Sequence, residues 1–423
     1  MINYKIKNWL NKERKKNIIK VKKKKLSALK NWNFNNKEIS HKSGKFFKIV
    51  GIKVYSNFFS KNWDQPIIIQ NEIGILGIIK NKISKKYLLQ AKVEPGNRNK
   101  LQLSPTVQAT KSNYTQVHGG QKVPYLEYFI NAKKNIMNQS EQGFRYLNKF
   151  NSNIIVTINN RLNLPPNFFW FSLKELEILI KKKNILNMDT ISVFSSFIKK
   201  DKIDKPYNSS KKIKKLINKN DKNFFIKNKI VSLSSLNDWK ITKNKVFHKS
   251  GKHFSVVGVK VKTNKREVKE WDQPLIQGKK LALAGFLIKR INKTNHYMCR
   301  YILKPGLKKS TITCTVNTSD IKNYRRNKDL AKDQKDLLKK YFLSNNNATK
   351  KLVFDNIISD EGGRFYHCEI RNIGILLNKK IKIKLPETYF WVSQNQLIDM
   401  IKNKQVDIEA RLLFGCLNIK YLM

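Results

Sequence analysis

The stretch that decides the fold is residues 89–120, LQAKVEPGNRNKLQLSPTVQATKSNYTQVHGG. Residues 87–94 and 101–109 alternate apolar and polar side chains with a period of two, which is typical of half-buried strands. Between them, PGNRNK supplies the Pro, Gly and Asn of a turn. The pattern predicts a β-hairpin whose second strand is weakened at Pro105, because proline cannot donate to a ladder.

The two faces of this hairpin differ in chemistry. One is apolar and consists of Leu89, Ala91, Val93, Leu101, Leu103, Val107 and Ala109. The other carries the polar side chains of Gln90, Lys92, Glu94, Gln102, Ser104, Thr106 and Gln108. Because 87 of the 423 residues are Lys or Arg, a solvated face should have acquired more Lys. Neutral hydrogen-bonding groups suit a pocket floor that contacts hydroxyls and phosphate oxygens, and a water-facing sheet surface is the alternative.

Composition sets the wider limits. A chain of 423 residues, 40% of them hydrophobic, is long enough for two or three domains with real cores. The formal net charge of +58 would usually indicate nucleic acid, but Lys is spread along the whole chain while Arg and Ala are scarce. That distribution fits codon drift in an AT-rich genome, and no nucleic-acid-binding signature accompanies it. We therefore expect no nucleic-acid partner.

Cysteine usage and hydropathy predict the compartment. All four cysteines lie in the second half without a CxxC pair, which argues against a zinc site and a disulfide framework. No stretch approaches 18 consecutive apolar residues, and the basic N-terminus lacks the apolar run of a signal peptide. These features predict a soluble, cytoplasmic protein with no membrane partner.

An internal repeat determines the organisation. HKSGK at 41–45 returns at 248–252, WDQP at 63–66 returns at 271–274, SEQG at 140–143 becomes DEGG at 360–363, and FWFSLKELEILI at 169–180 becomes FWVSQNQLIDMI at 390–401. The sequence predicts a basic lead-in helix at 1–25, a first repeat at 26–198, a Lys- and Asn-rich linker at 199–230 and a second repeat at 231–423. Each repeat is expected to be α+β, with a mixed or antiparallel sheet and flanking helices.

The two hairpins are unequal when their proline-glycine turns are aligned. In that alignment Gln102, Ser104 and Thr106 correspond to Ile312, Cys314 and Val316. The polar face of the first hairpin has then become apolar in the second. This asymmetry predicts an active first repeat and a degenerate pocket in the second.

Several motifs together resemble the NDP-hexose 2,3-dehydratase family. They are HKSGKFF, WDQP, NEIGILG, the hairpin block, QSEQG and NMDT in the first half, and HKSGKHF, WDQP and EGGRFYH in the second. The resemblance implies a Nudix-related fold, here without the Nudix metal box, and a homodimer with neither metal nor redox cofactor. It also implies a dTDP-4-keto-6-deoxyhexose substrate and a downstream NADPH-dependent 3-ketoreductase.

Loss of water across C2 and C3 needs a base for the C3 hydrogen, donors that hold the enolate, and an acid for the C2 hydroxyl. The catalytic candidates are Glu141 as base, Lys92 as enolate stabiliser, His118 and Tyr114. Alternatives stay open: Glu141 aligns with Glu361 and could be structural, Lys92 could pair with Glu94, and Tyr114 aligns with Tyr324.

Substrate-binding candidates fall into three groups. Trp63 and Gln65 come from WDQP, with Trp63 a candidate for stacking on thymine or for core packing. The hairpin face supplies Gln90, Glu94, Gln102, Ser104, Thr106 and Gln108, and the segment Thr110, Lys111, Ser112 and Asn113 could bind a diphosphate. A possible second site comprises Trp271, Tyr324, Glu361 and Arg364. The alternative function is a non-catalytic protein that binds sugar nucleotides or a polyanion such as nucleic acid.

Overall fold

The computed structural model describes residues 3–98, 101–115, 122–264, 268–278, 280–322, 330–344 and 349–423. The chain begins with helix α1 (Tyr4–Lys16) and strand β1 (Ile19–Lys24). The strands that follow in the first half are β2 (Trp32–Phe34), β3 (Glu38–His41), β4 (Lys48–Ser56), β5 (Trp63–Ile69), β6 (Gly74–Asn81), β7 (Tyr87–Val93), β8 (Leu101–Pro105) and β9 (Val107–Ala109). After helices α2 (Lys111–Tyr114) and α3 (Glu127–Ile130) come β10 (Ile136–Ser140), β11 (Tyr146–Leu147), β12 (Phe150–Ile158), β13 (Phe168–Phe171), α4 (Leu173–Leu179) and α5 (Met188–Ser196).

The second half repeats this order. It begins with helix α6 (Ser210–Asn223) and strand β14 (Ile226–Val231). Its further strands are β15 (Trp239–Ile241), β16 (Lys245–His248), β17 (Ser255–Thr263), β18 (Glu270–Gln277), β19 (Ala282–Ile291), β20 (Thr294–Ile302), β21 (Thr311–Thr313) and β22 (Val316–Thr318). Helix α7 (Lys332–Leu337) precedes β23 (Lys350–Ser359), β24 (Phe365–Tyr366), β25 (Glu369–Leu377), β26 (Tyr389–Ser393), α8 (Gln394–Lys402) and α9 (Ile408–Asn418).

Each half forms two sheets with matching strand orders. The smaller sheets run β11-β5-β4-β3-β2 and β24-β18-β17-β16-β15. The larger sheets run β10-β12-β6-β7-β13 and β23-β25-β19-β20-β26, and the short strands β8, β9, β21 and β22 pair within them. Most pairs are antiparallel, whereas β12 lies parallel to β6 and β25 lies parallel to β19. The predicted mixture of helices and strands in two repeats is confirmed.

The two repeats exchange a strand in both directions. Strand β1 precedes the first repeat but pairs with β17 of the second, with Ile19 opposite Thr263. Strand β14 precedes the second repeat but pairs with β4 of the first, with Ile226 opposite Ser56. Each smaller sheet therefore has a strand supplied by the other half of the chain.

The segment 199–230 is more regular than the predicted linker, because it contains α6 and most of β14. Its apolar residues Ile213, Leu216 and Ile217 have helical spacing and pack against the core, while the many lysines face outward. Ser209 caps the helix by accepting from the Lys212 backbone nitrogen. The lysine density obscured this amphipathic pattern in the sequence. The repeat boundaries themselves remain a prediction.

The predicted hairpin at 87–109 is present, and it is forked. Strand β8 pairs with β7, but after Pro105 the chain switches to β9, which pairs with β6. Thr106 occupies the fork: its hydroxyl donates to the Leu88 carbonyl oxygen and accepts from the Ile79 backbone nitrogen. The side chain thus supplies the hydrogen bonds that the interrupted ladder would otherwise lack.

The second hairpin has the same fork, in a register one residue away from that of the sequence alignment. Thr315, not Val316, has the role of Thr106, since its hydroxyl donates to Met298 and accepts from the Leu287 nitrogen. Likewise, the strand pairing makes Thr311 and Thr313 the equivalents of Gln102 and Ser104, in place of Ile312 and Cys314. The second face is polar too, so the predicted loss of polarity there is wrong. The alignment failed because TITCTV alternates polar and apolar residues and fits either register.

A single hydrophobic core cluster runs through both repeats, from Ile6 to Leu422. Helices α5 and α9 hold equivalent positions and pack on each other where a Cβ added to Gly415 would lie 2.8 Å from the Ser195 Cβ. None of the helices in the described ranges is long and apolar enough to cross a bilayer.

Candidate active site

The turn of each hairpin docks on the other repeat. The Gly96 nitrogen donates to the Gly362 carbonyl oxygen at 2.8 Å, and the Gly306 nitrogen donates to Gly143 at 2.7 Å. A Cβ on Gly96 would lie 1.7 Å from the Phe365 carbonyl oxygen, so no other residue fits there without displacement of backbone. The loops that carry SEQG and DEGG therefore meet the hairpin turns at the boundary between the repeats.

These contacts correct the alignment of the two loops. The Glu141 nitrogen donates to the Lys149 carbonyl oxygen at 3.0 Å, and the Asp360 nitrogen donates to Cys368 in the same way. The structural equivalent of Glu141 is therefore Asp360 and not Glu361, which stands one residue later. The assumption that Glu141 is preserved as Glu361 in the second repeat is wrong, because the loops differ by one residue in register.

Glu141 is a buried carboxyl group with one unsatisfied oxygen. It is 3% exposed, its Oε1 accepts from Asn151 Nδ2 at 2.7 Å, and its Oε2 has no hydrogen-bond partner. Burial raises the pKa of Glu141 to about 7, and the charge of Glu361 adds to the increase. Arg411 and Lys149 oppose this rise in the pKa. A carboxyl group with this proton affinity can accept or release a proton near neutral pH.

Asp189 is a second protonatable carboxyl group at the same centre. It lies in the first turn of α5, is buried, and has a pKa well above the ordinary value. Desolvation is the main cause, followed by the charges of Glu361, Glu141 and Glu94. The sequence analysis included the NMDT motif at 187–190 but did not single out its aspartate, although a carboxyl group in a motif that resembles the family was a usable signal.

Lys149 is the cation that best fits the role of the expected enolate stabiliser. It was not among the candidates predicted from the sequence. The side chain is buried, its Nζ donates to the Glu72 carbonyl oxygen, and burial lowers its pKa. Its charge acts on Glu141. Nothing marks this lysine among the many others in the chain, so only the fold could reveal it.

Arg411 was also missed, although the composition contained a signal. Only 12 of the 87 basic residues are arginine, so an arginine that persists is informative. Arg411 extends from α9 into the first repeat, where Nη1 donates to Ser192 Oγ at 2.6 Å and Nη2 donates to the Ser140 carbonyl oxygen at 2.9 Å. It is fully buried, and burial lowers its pKa to about 10.

The equivalent centre in the second repeat contains a cation of its own. Lys304 occupies the position of Glu94, and its Nζ lies 2.8 Å from Asp407 Oδ2 and 2.6 Å from Glu409 Oε2. Glu409 is the equivalent of Asp189 in the first turn of its helix. The side chain of Lys304 is fully buried. The first centre has acids where the second has an internal ion-pair cluster.

The polar hairpin face is covered by protein. Gln102 accepts from Asn97 at 2.7 Å and donates to the Asn184 carbonyl oxygen at 3.2 Å. Asn187 donates to Ser104 Oγ and to Gln108 Oε1 at 2.9 and 3.2 Å. These predicted substrate-binding groups are thus engaged by the segment that leads into α5.

The remaining hairpin candidates are also engaged within the fold. Gln90 donates to the carbonyl oxygens of Pro105 and Thr106, and Lys92 donates to the Gln108 carbonyl oxygen at 3.2 Å. Glu94 accepts from Gln108 Nε2 at 3.0 Å and, through Oε2, from the Gly362 nitrogen at 3.1 Å. Glu94 and Lys92 nevertheless act electrostatically on Asp189.

The WDQP residues make the same local contacts in both repeats. Trp63 Nε1 donates to Gln65 Oε1 at 2.9 Å, and Gln65 Nε2 donates to the Phe144 carbonyl oxygen at 2.7 Å. In the second repeat, Trp271 donates to Gln273 at 2.7 Å. Trp63 and Gln65 therefore fasten a strand to the loop that follows Glu141.

A cationic cavity of about 730 Å³ opens beside the first centre. Its walls include Lys42, Lys45, Lys48 and Lys111. Glu72 also lines it, and the carbonyl oxygen of this residue is the one that Lys149 contacts. The cavity thus adjoins the centre that contains Glu141.

The predicted diphosphate segment lines this cavity only in part. Lys111 and Ser112 are in the wall, but the Ser112 nitrogen and hydroxyl already donate to the Glu72 carboxylate at 2.9 and 3.2 Å. Thr110 Oγ1 lies 2.9 Å from Ser112 Oγ, and Tyr114 packs on a hydrophobic cluster. His118, Tyr324 and the side chain of Asn113 lie outside the described residues.

Arg364 joins the repeats from the second half. Its guanidinium carbon lies 4.2 Å from the centre of the Phe47 ring, and Nη1 donates to the Gly363 carbonyl oxygen at 2.9 Å. Within the described ranges, no three His, Cys, Asp or Glu side chains are placed to hold a metal ion.

Comparison with known protein families accords with this two-repeat organisation and with the buried acids at the boundary between the repeats. A family model described as NDP-hexose 2,3-dehydratase matches residues 3–197 and 210–417, and the chain belongs to this family of hydro-lyases.

Three curated relatives carry one name, dTDP-4-dehydro-6-deoxy-alpha-D-glucopyranose 2,3-dehydratase. The protein from Saccharopolyspora spinosa is 31% identical over 423 residues, covering 92% of this chain and 86% of the relative. The protein from Amycolatopsis orientalis is 30% identical, covering 98% and 89%. The protein from Streptomyces violaceoruber is 29% identical, covering 90% and 88%.

Proposed function

We propose that this protein removes water across C2 and C3 of a dTDP-4-keto-6-deoxyhexose and yields the 3,4-diketo-2,6-dideoxy sugar nucleotide. Family membership and the names of the three relatives support the reaction class. The observation that carries the proposal is Glu141, a buried carboxyl group with a free Oε2 and a pKa of about 7, beside a lysine-lined cavity.

Glu141 is the base in this proposal. The C4 ketone acidifies the C3 hydrogen, and the carboxylate form of Glu141 takes that proton. Because its pKa is higher than that of an ordinary glutamate, it is the stronger base, yet a large fraction is still ionised near pH 7. The electron pair moves onto the C4 oxygen as an enolate, which Lys149 stabilises by its charge.

Asp189 is the acid. Burial raises its pKa well above the ordinary value and so favours the protonated form, which can supply a proton to the C2 hydroxyl as the C2–O bond breaks. Water leaves, a C2–C3 double bond forms, and the resulting enol tautomerises at C2 to the 3,4-diketone. Afterwards the proton held by Glu141 returns to Asp189, so the protein is unchanged over one turnover.

In this proposal the cavity is the binding site for the nucleotide. Lys42, Lys45, Lys48 and Lys111 would offset the diphosphate charge, while Glu72 and Lys149 mark the side from which the sugar approaches Glu141.

Other expectations from the resemblance stay predictions. They are a Nudix-related fold, a homodimer, a cytoplasmic location and transfer of the unstable diketone to an NADPH-dependent 3-ketoreductase. The alternative of a non-catalytic or polyanion-binding protein is not favoured by the family match.

The test is to incubate the purified protein with dTDP-4-keto-6-deoxyglucose and to follow the mass of the sugar nucleotide. A 3-ketoreductase with NADPH traps the diketone. We expect loss of one water with the wild-type protein, and a rate at least roughly 100-fold lower for Glu141→Gln. Asp355→Asn, which removes a carboxyl group on an outer strand, is the control and should retain the wild-type rate.

If the wild-type protein binds dTDP tightly but releases no water from the sugar, the dehydratase proposal fails. If both Glu141→Gln and the wild-type protein release water at the same rate, the reaction stands but the assignment of the base is overturned.

A further inference from the structure

Glu361 comes from the second repeat but lies at the first centre. Tyr146 Oη of the first repeat donates to Glu361 Oε2 at 2.8 Å. The next residue, Gly362, donates its backbone nitrogen to Glu94 and accepts from the Gly96 nitrogen. Hydrogen bonds on three sides thus fix this turn of the second repeat against the first.

The second centre contains the same arrangement with one chemical difference. The equivalent of Glu361 is Gln142, since each follows the buried acid of its loop and the carbonyl oxygen of each accepts from the backbone nitrogens three and four residues later. Gln142 Nε2 lies 3.4 Å from Asp360 Oδ1, the acid that is equivalent to Glu141. Where the second centre places an amide donor against its acid, the first places another carboxyl group.

We propose that Glu361 is a positioning residue of the first centre, whose carboxyl group pairs with that of Glu141 across the boundary between the repeats, as Gln142 pairs with Asp360 in the second centre. This inference rests on the proposed function only for its catalytic meaning. The pair itself is a statement about proton binding and can be tested without substrate.

The geometry explains why Glu361 acts on Glu141 rather than merely filling space. Tyr146 donates to Glu361 and Asn151 donates to Glu141, so each acid has its own donor. Glu141 Oε2 keeps no donor of its own, whereas the corresponding acid of the second centre has the amide of Gln142. The like charge of Glu361 disfavours the ionised form of Glu141.

Other charged groups also face the pair and must be held constant in any test. They are Asp189 on α5, Arg411 on α9, Lys149 before β12, Tyr146 on β11, and Asp360 and Arg364 beside Glu361. None of these groups is altered by the substitution of Glu361.

The experiment is an infrared titration of the protein without substrate, compared with the pH profile of the dehydratase rate. The band of protonated carboxyl groups that disappears in Glu141→Gln is assigned to Glu141. In the wild-type protein this band should titrate near pH 7. In Glu361→Gln, which recreates the amide–acid pair of the second centre, it should titrate at least roughly one pH unit lower, and the acid limb of kcat should move by the same amount.

One control makes the outcomes distinct. Asp355→Asn removes a carboxyl group on the outer strand and should leave the Glu141 band in place. If the Glu141 band does not move in Glu361→Gln, the pair does not exist, even if the protein is an active dehydratase. If the band moves but the wild-type protein releases no water, the proposed function fails and the pair stands.

Discussion

Lys304 occupies in the second hairpin the position that Glu94 occupies in the first, so equivalent points of the two repeats carry opposite charges. In the second centre Lys304 forms ion pairs with two buried acids, Asp407 and Glu409, at 2.8 and 2.6 Å. In the first centre Glu94 adds a negative charge beside Asp189. This one exchange gives the second centre an internal counter-charge for two of its acids, whereas the first centre has a further carboxylate at the same point.

Replacing Lys304 with methionine should destabilise the protein strongly. Removal of the cation leaves two buried carboxyl groups without a counter-charge, which costs about 3–5 kcal/mol at pH 7. The folded-state pKa of Glu409 is already raised by burial and would rise further, so the folded variant binds more protons and its stability should fall as pH rises. Urea unfolding at pH 5 and pH 7 measures this.

The control for that measurement is Lys219→Met, because Lys219 and Glu387 form an exposed ion pair of small energetic value. An equal loss of stability in both variants, or a larger loss for Lys304→Met at pH 5 than at pH 7, would contradict the role of Lys304 as the counter-charge of Asp407 and Glu409.

Glu141→Gln should be more stable than the wild-type protein at alkaline pH. The pKa of Glu141 rises from an ordinary 4.5 to about 7 on folding, so the folded state holds a proton that the unfolded state releases. Stability therefore falls between pH 4.5 and pH 7, and the full cost of about 3 kcal/mol is present above pH 7. The neutral amide does not incur this cost.

Guanidinium unfolding at pH 5 and pH 8 tests the prediction. The difference between Glu141→Gln and wild type should be small at pH 5 and should favour the variant at pH 8. A variant that is less stable at both values would show that Glu141 contributes to the fold in its ionised form.

Gly96→Ala should disrupt the docking of the first hairpin turn. The added Cβ would lie 1.7 Å from the Phe365 carbonyl oxygen, so backbone must move, at a cost of about 3 kcal/mol. Gly44→Ala is the matched control: its φ is +67°, but nothing lies within 4 Å of the added atom, so we expect a loss of about 1 kcal/mol. Thermal unfolding of both variants provides the comparison, and equal losses would argue against tight docking of the turn.

Lysine substitutions in the cavity should weaken nucleotide binding. Lys42→Ala and Lys111→Ala each remove one exposed charge from the wall, which should raise the Kd for dTDP about two- to fivefold. The loss should shrink at high salt, because screening weakens exposed charge interactions. Calorimetric titration with dTDP measures both effects.

Lys249→Ala is the control, since Lys249 holds the position of Lys42 in the HKSGK motif of the second repeat. A Kd that changes only in Lys249→Ala would place the nucleotide in the second repeat.

The sequence was sufficient for the repeat and the hairpin, because each depends on local patterns that are visible without an alignment. The sequence did not determine the register in which the two hairpins and the two following loops should be aligned. The two hairpins differ by one residue in turn length, so Thr315 is the equivalent of Thr106. The loops that follow also differ by one residue, so Asp360 is the equivalent of Glu141. Alternating residues on either side fit both registers equally well.

The composition of the centre could be predicted only in part. Glu141 was identified from its motif, whereas Lys149 resembles the many other lysines of the chain and Arg411 reaches the centre from α9, which is distant in sequence. The partnership between Glu361 and Glu141 could not be inferred at all, since it depends on how two repeats meet. The number of residues between two side chains in the sequence does not reveal whether they meet at the boundary between the repeats.

The exchanged strands β1 and β14 also record the history of the molecule. Two identical copies of a single-repeat ancestor would form the same reciprocal pairing across a dyad, each lending its N-terminal strand to its mate. Joining the copies end to end through residues 199–209 preserves every such contact. Once fused, the two copies can differ, as Glu94 and Lys304 do at equivalent positions, and two identical chains related by a dyad cannot have such a difference.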